Sequence, residues 1–164
     1  MFWILVFSYW IHLLATVIWF GSLVLMALAA WPALGKGAVA QNGWLALQKQ
    51  LIPWANISLV LLLITGFVQM TNDVNYSGFL AIDSTWAWAM LVKHIAFGLL
   101  AALTVYLQFG LYPAADRIAL LADKKPQLAK TEQQKLAQRE KQVLWLNLAC
   151  AVAILFCTAV ATAV

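Results

Sequence analysis

The chain has 164 residues, of which 65% are hydrophobic and only 10% charged, with nine Trp among them. That composition lies far from the soluble globular average and excludes an ordinary water-soluble domain. The net charge of +4 sits in loops, so it is a topology signal and not a nucleic-acid footprint.

Four stretches are free of Asp, Glu and Arg and long enough to cross a bilayer, which takes about 20 apolar residues. Their approximate bounds are 3–33, 51–71, 85–112 and 142–163. The N-terminus has no basic region and no small-residue cleavage site before the first span continues, so a retained helix is expected there. The fold class read from this pattern is an all-α integral membrane protein. A single transmembrane domain over 1–164 forms a four-helix bundle, with the lipid bilayer as its first partner and no nucleic acid.

Orientation follows from Lys and Arg. Lys36 and Lys49 lie in the loop 34–50, and Arg117, Lys124, Lys125, Lys130, Lys135, Arg139 and Lys141 in the loop 113–141. The middle loop, around Asp73 to Asp83, holds two acids and no base. The positive-inside rule then puts both basic loops in the cytoplasm and both termini outside. A bacterial inner membrane, with periplasmic termini, is the expected location. Trp31, Trp44, Trp54 and Trp145 fall toward the inner face, and Trp3, Trp86 and Trp88 toward the outer one. Within the long loop, Pro126 ends any extension of the third span. Thr131 with Gln134 reads as a capping box, from which KLAQREKQ runs as a helix into the fourth span, its bases near anionic headgroups.

The two cysteines, Cys150 and Cys157, stand two turns apart on the fourth span, roughly 10 Å along the axis, too far for a disulfide. They read as small buried residues.

The first and third spans align. One reads HLLATVIWFGSLVLMALAAWPAL from His12, the other HIAFGLLAALTVYLQFGLYPAAD from His94, and each ends in an aromatic-Pro-Ala step. The second and fourth correspond loosely from Asn56 and Asn147. The chain therefore reads as two parallel helical-hairpin repeats.

His12 and His94 are the only histidines. At about 1.5 Å per residue they lie roughly 16 Å and 14 Å from the outer ends of their spans. Unpaired ionisable groups at such depth are costly and point to function. A lone intramembrane His more often bonds a Ser, Thr or carbonyl than a cofactor, but two at matched depth favour a shared ligand. Neutral imidazole is the commonest metal ligand among side chains. Trp19, seven residues after His12, lies on the same face. Gly98, four after His94, leaves space beside a ring. Thr16, four after His12, either orients a ring N–H or bonds its own helix. A four-helix bundle with inward ligands on facing helices is a known architecture for haem, so haem or a related tetrapyrrole between His12 and His94 is expected. Two histidines are too few for a closed zinc site, and the spans lack the carboxylates of a hard-cation cage. Lys93, beside His94 but about 100° round the helix, is either a snorkelling side chain or an alternative axial ligand and partner for a propionate.

HLLATVIWFGSL resembles the first-helix motif shared by copper resistance D domains and the membrane protoporphyrinogen oxidase of the HemJ type. WAMLVKHIAFGLL resembles their third-helix segment around Lys93. The resemblance covers the chain as a four-helix unit and implies a membrane bundle that binds haem b. In the porphyrin-oxidising branch it gives the functional roles to His12 and Lys93. Four readings stand beside each other here. The first is a bis-His haem b protein in electron transfer, with a quinone or porphyrin substrate. The second is a HemJ-type oxidase, which would make the chain an oxidoreductase. The third is copper uptake or resistance with copper as the bound metal; its soft-ligand path is expected to include Met, Cys and His, although the four Met form no cluster in sequence. The fourth is a non-catalytic subunit of a larger membrane complex, or a homodimer.

Overall fold

The computed structural model describes residues 2–33, 38–76, 78, 82–121 and 126–164, and the side chains of these except at 29–46, 116 and 119–126. Among the described residues the regular structure is entirely helical. Helix α1 spans Phe2–Ala33, α2 Ala38–Thr71 and α3 Thr85–Val105. A π-helical segment, Tyr106–Leu111, continues α3 into α4, Tyr112–Leu121, and α5 covers Pro126–Ala163. Four stretches are long and apolar enough to cross a membrane: Phe2–Leu28, Leu47–Thr71, Thr85–Ala115 and Gln127–Ala163. Long helices are forced on such a chain, because in hydrocarbon each backbone N–H and C=O must find its partner within the segment.

The ends of these helices differ in detail from the sequence pattern. Ser84 caps α3, its hydroxyl accepting from the Ala87 N–H at 3.2 Å, which meets one of the four orphan donors of a helix start. Helix α5 instead starts at Pro126; proline at the first helical position loses no intrahelical bond and arrives with its φ already set. Thr131 is therefore inside the helix, donating to the Gln127 carbonyl at 3.2 Å, and the expected capping box with Gln134 is absent. The run KLAQREKQ does pass unbroken into the fourth span, with Lys135 paired to Glu132 at 2.9 Å.

Helix α1 packs along α2 and α3 along α5, and α1 against α5 joins the two hairpins. Hydrophobic burial supplies little drive between helices in lipid, so close packing of small residues has to supply it. Ala15, Ala55, Ser58 and Ala151 occupy such contacts, Ala151 with no exposure at all. Around them Trp19, Leu23, Leu62, Leu100, Cys150 and Ile154 form the central core. Both cysteines are buried and unpaired. The backbones of α2 and α3 stay further apart, and side chains bridge the space. Asn56 and Gln108 exchange two amide hydrogen bonds, at 3.0 and 2.8 Å. Gln108 reaches this position from the π-helical segment, a local widening found often at functional sites. Near the other end of α2, Phe67 meets the His94 ring at 6.0 Å between centroids.

The aromatic belts are only partly as expected. Trp3, Trp54, Trp88 and Trp145 are exposed, but Trp86 is buried and meets Tyr76 edge-on at 6.5 Å. An indole directed into the bundle gains packing partners that the membrane interface does not offer. The side chains of Trp31 and Trp44 lie outside the described residues.

Candidate functional site

One cavity of about 200 Å³ lies within the bundle, lined from all four long helices. His12, Thr16 and Trp19 come from α1, Gly66 and Phe67 from α2, Met90, Lys93 and His94 from α3, Ile154 and Thr158 from α5. The exposed Leu13, Leu63 and Leu155 also line it, so it reaches the lipid-facing surface. The matched depths of His12 and His94 thus correspond to one shared space. Trp19 forms part of its wall and, at 5% exposure, is locked in the core. Gly98 does not line the cavity: it is exposed, and a Cβ there would meet nothing within 4 Å. The close glycine is Gly66 on α2, where a Cβ would sit 3.7 Å from His12 Cε1.

Both rings are held by the same nitrogen. The Thr65 hydroxyl donates its only proton to the Leu61 carbonyl at 2.6 Å. Its oxygen is therefore the acceptor for His12 Nδ1–H, at 2.7 Å. His94 Nδ1 lies 2.6 Å from the Met90 carbonyl, which can only accept, so this Nδ1 also carries the proton. In each neutral ring the proton on Nδ1 leaves the Nε2 lone pair free. A metal-binding imidazole is commonly oriented in this way, by a bond from its other nitrogen to a hydroxyl or carbonyl. These Thr and carbonyl partners are the ones an ordinary buried histidine takes, and they leave Nε2 of each ring without a proton. Thr16 bonds its own helix, its hydroxyl donating to the His12 carbonyl at 2.8 Å.

Sequence spacing left Thr65, Gly66 and Met90 unremarked. Met90 has a sequence signal: it stands four before His94, on the same face. Thr65 and Gly66 have none, because their place depends on how α2 is rotated against α1. Among the described residues no three of His, Cys, Asp and Glu gather as a metal cluster, so further donors to an ion in the cavity would be thioether, hydroxyl or backbone groups.

A smaller cavity of about 30 Å³ lies beyond Trp19, which lines both, with Gln108 and Asn147 in its wall. At the far end of the bundle Gln48 on α2, 3% exposed, donates to Glu140 on α5.

No curated protein and no solved structure matches the chain. Residues 45–161, which run from the start of the second span nearly to the end of the fourth, match the family described as Copper resistance protein D. With the greater part of its length, two whole spans and most of a third within that match, the chain belongs to the copper resistance protein D family.

Proposed function

We propose that the protein binds copper within the membrane as a cargo ion, with His12 and His94 as its principal ligands. The observation that carries this reading is the pair of oriented imidazoles, each with a free Nε2, on one cavity. Met90 adds a thioether to the same wall. Imidazole suits copper, and a soft sulfur favours the cuprous state. Lys93 also lines the cavity. A neighbouring ammonium penalises a doubly charged ion more than a singly charged one, which again favours Cu(I). Family membership supports the same cargo. The charge distribution of the loops supports the orientation in which the two basic loops are cytoplasmic and the 72–84 connection and both termini face outward.

The test is a Cu(I) titration of detergent-purified protein against a chromophoric chelator. Wild type is expected to withdraw one equivalent, and His12→Ala and His94→Ala each to lose that binding. Unchanged binding in both variants would sink the proposal.

Haem b is the second reading, favoured by the same two Nε2 lone pairs. The donor chemistry fits a bis-His iron, and Lys93 in the same cavity wall would be the cation for a propionate. The volume does not fit: about 200 Å³ falls below the roughly 300–1,000 Å³ that encloses a drug-sized ligand. A macrocycle would have to part α2 from α3 or sit largely in lipid. An absorption spectrum of the purified, dithionite-reduced protein decides between the two, since haem gives a Soret band and copper alone does not.

A further inference from the structure

Above the histidine pair, toward the 72–84 connection, the bundle carries a second tier of soft donors. Met70 is 6% exposed and forms a buried cluster with Trp86 and Ala87, and Met90 packs against that cluster. Two of the four methionines, scattered in sequence, thus share one cluster. Met70 lies one turn beyond Gly66, the residue against the His12 ring. Met90 lies one turn before His94, whose Nδ1–H its backbone carbonyl accepts. Since α2 and α3 run in opposite directions, both thioethers fall on the same side of the imidazoles, about 6 Å along the axis. Met90 belongs to both levels, because it also lines the cavity.

Charge favours cations at this end. Residues 72–84 contain Asp73 and Asp83 and no Lys or Arg, whereas nine of the ten basic residues fall in the segments 34–50 and 113–141. A local excess of acid raises the concentration of cations at a mouth. Trp86, buried beside Met70, adds an aromatic surface that attracts a poorly hydrated cation.

We propose that Met70 and Met90 form an entry site for a soft monovalent metal ion, passing it from the 72–84 end of the bundle to His94 and His12. This rests on the copper reading of the cavity and adds the route and the end from which the ion comes. Thioethers alone bind Cu(I) or Ag(I) more weakly than imidazole with sulfur, which suits a site that must release its ion inward. No electron is transferred, and the ion exchanges one set of neutral donors for another.

The experiment uses the full chain with ¹³C-labelled methionine methyl groups in lipid nanodiscs, titrated with Ag(I) as a redox-inert probe. Met70→Leu and Met90→Leu, volume-conserving apolar swaps, assign the two signals. Met26, in the cluster with Leu107 and Leu144 at the other end, is the internal control. The expected result is a saturable shift of the Met70 and Met90 methyl signals with Met26 unmoved, retained when His12 and His94 are both replaced by Ala. Silence of Met70 and Met90 would overturn the entry site. Imidazole ¹⁵N shifts, read in the same wild-type titration, report the cavity separately. Methionine silence with imidazole response removes the route and leaves the cavity, and the reverse removes the cavity and leaves the entry site.

Discussion

The Thr65 hydroxyl on α2 fixes the His12 ring on α1 across 2.7 Å, while spending its own proton on the Leu61 carbonyl one turn back along α2. A single oxygen thus sets which imidazole nitrogen carries the proton. Thr65→Val keeps the shape and removes the acceptor. It is expected to destabilise the protein by about 0.6–1.7 kcal/mol, the range for interhelical side-chain bonds in membranes. Copper affinity should fall roughly 10- to 100-fold, as when a ligand's orienting partner is lost. Thr65→Ser should restore both, and denaturation in mixed micelles beside a Cu(I) competition assay reads them.

Asn56 and Gln108 should behave as one unit. Replacing either by Leu strands the other amide in an apolar setting, whereas replacing both removes the need for a partner. A double-mutant cycle is expected to give a coupling energy of about 1 kcal/mol, with the double variant more stable than the sum of the singles predicts. Strict additivity in reversible unfolding would contradict the reciprocal bonds.

The two glycines near the histidines should separate cleanly. Gly98→Leu is expected to leave Cu(I) binding unchanged, because the position opens away from the cavity. Gly98→Ala should be neutral or stabilising by up to about 1 kcal/mol through helix propensity. Gly66→Ala places a methyl at ordinary contact distance from His12 Cε1 and should be tolerated. Gly66→Leu extends into the cavity and should abolish binding while the protein still elutes as a monodisperse species.

Orientation is tested by impermeant maleimide on intact cells. The native Cys150 and Cys157 are buried and should stay unlabelled. Val74→Cys, at a position 98% exposed, should react from outside. Lys135→Cys, whose parent side chain is 62% exposed, should react only after the membrane is permeabilised. The reverse pattern would invert the bundle and move the proposed entry to the cytoplasm.

Much of the architecture is legible in the sequence alone. Hydropathy defines the four spans because a bilayer permits few other structures, and the spacing of His12 and His94 within their spans fixes depth through the constant helical rise. Rotation is another matter. The outward face of Gly98, the burial of Trp86 and the approach of Thr65 to His12 depend on which side of each helix meets its neighbour. An almost uniformly apolar span carries little pattern to reveal that. The start of α5 shows a competition between local signals: Thr131 and Gln134 match a cap in isolation, yet Pro126 is already suited to begin the helix. The cluster that joins Met70 of α2 to Trp86 and Ala87 of α3 needs the turn between α2 and α3 to be closed before it exists.

Each hairpin carries one of the two imidazoles, His12 held by its own partner helix α2 and His94 by its own helix α3. Neither half can assemble the donor pair alone. An ion shared between them therefore acts as a clasp, adding its binding free energy to the docking of one half on the other. The converse also holds. Any movement that slides the hairpins apart dismantles the ligand set without breaking a bond inside either half, so release of the ion needs only a rigid-body displacement and no unfolding.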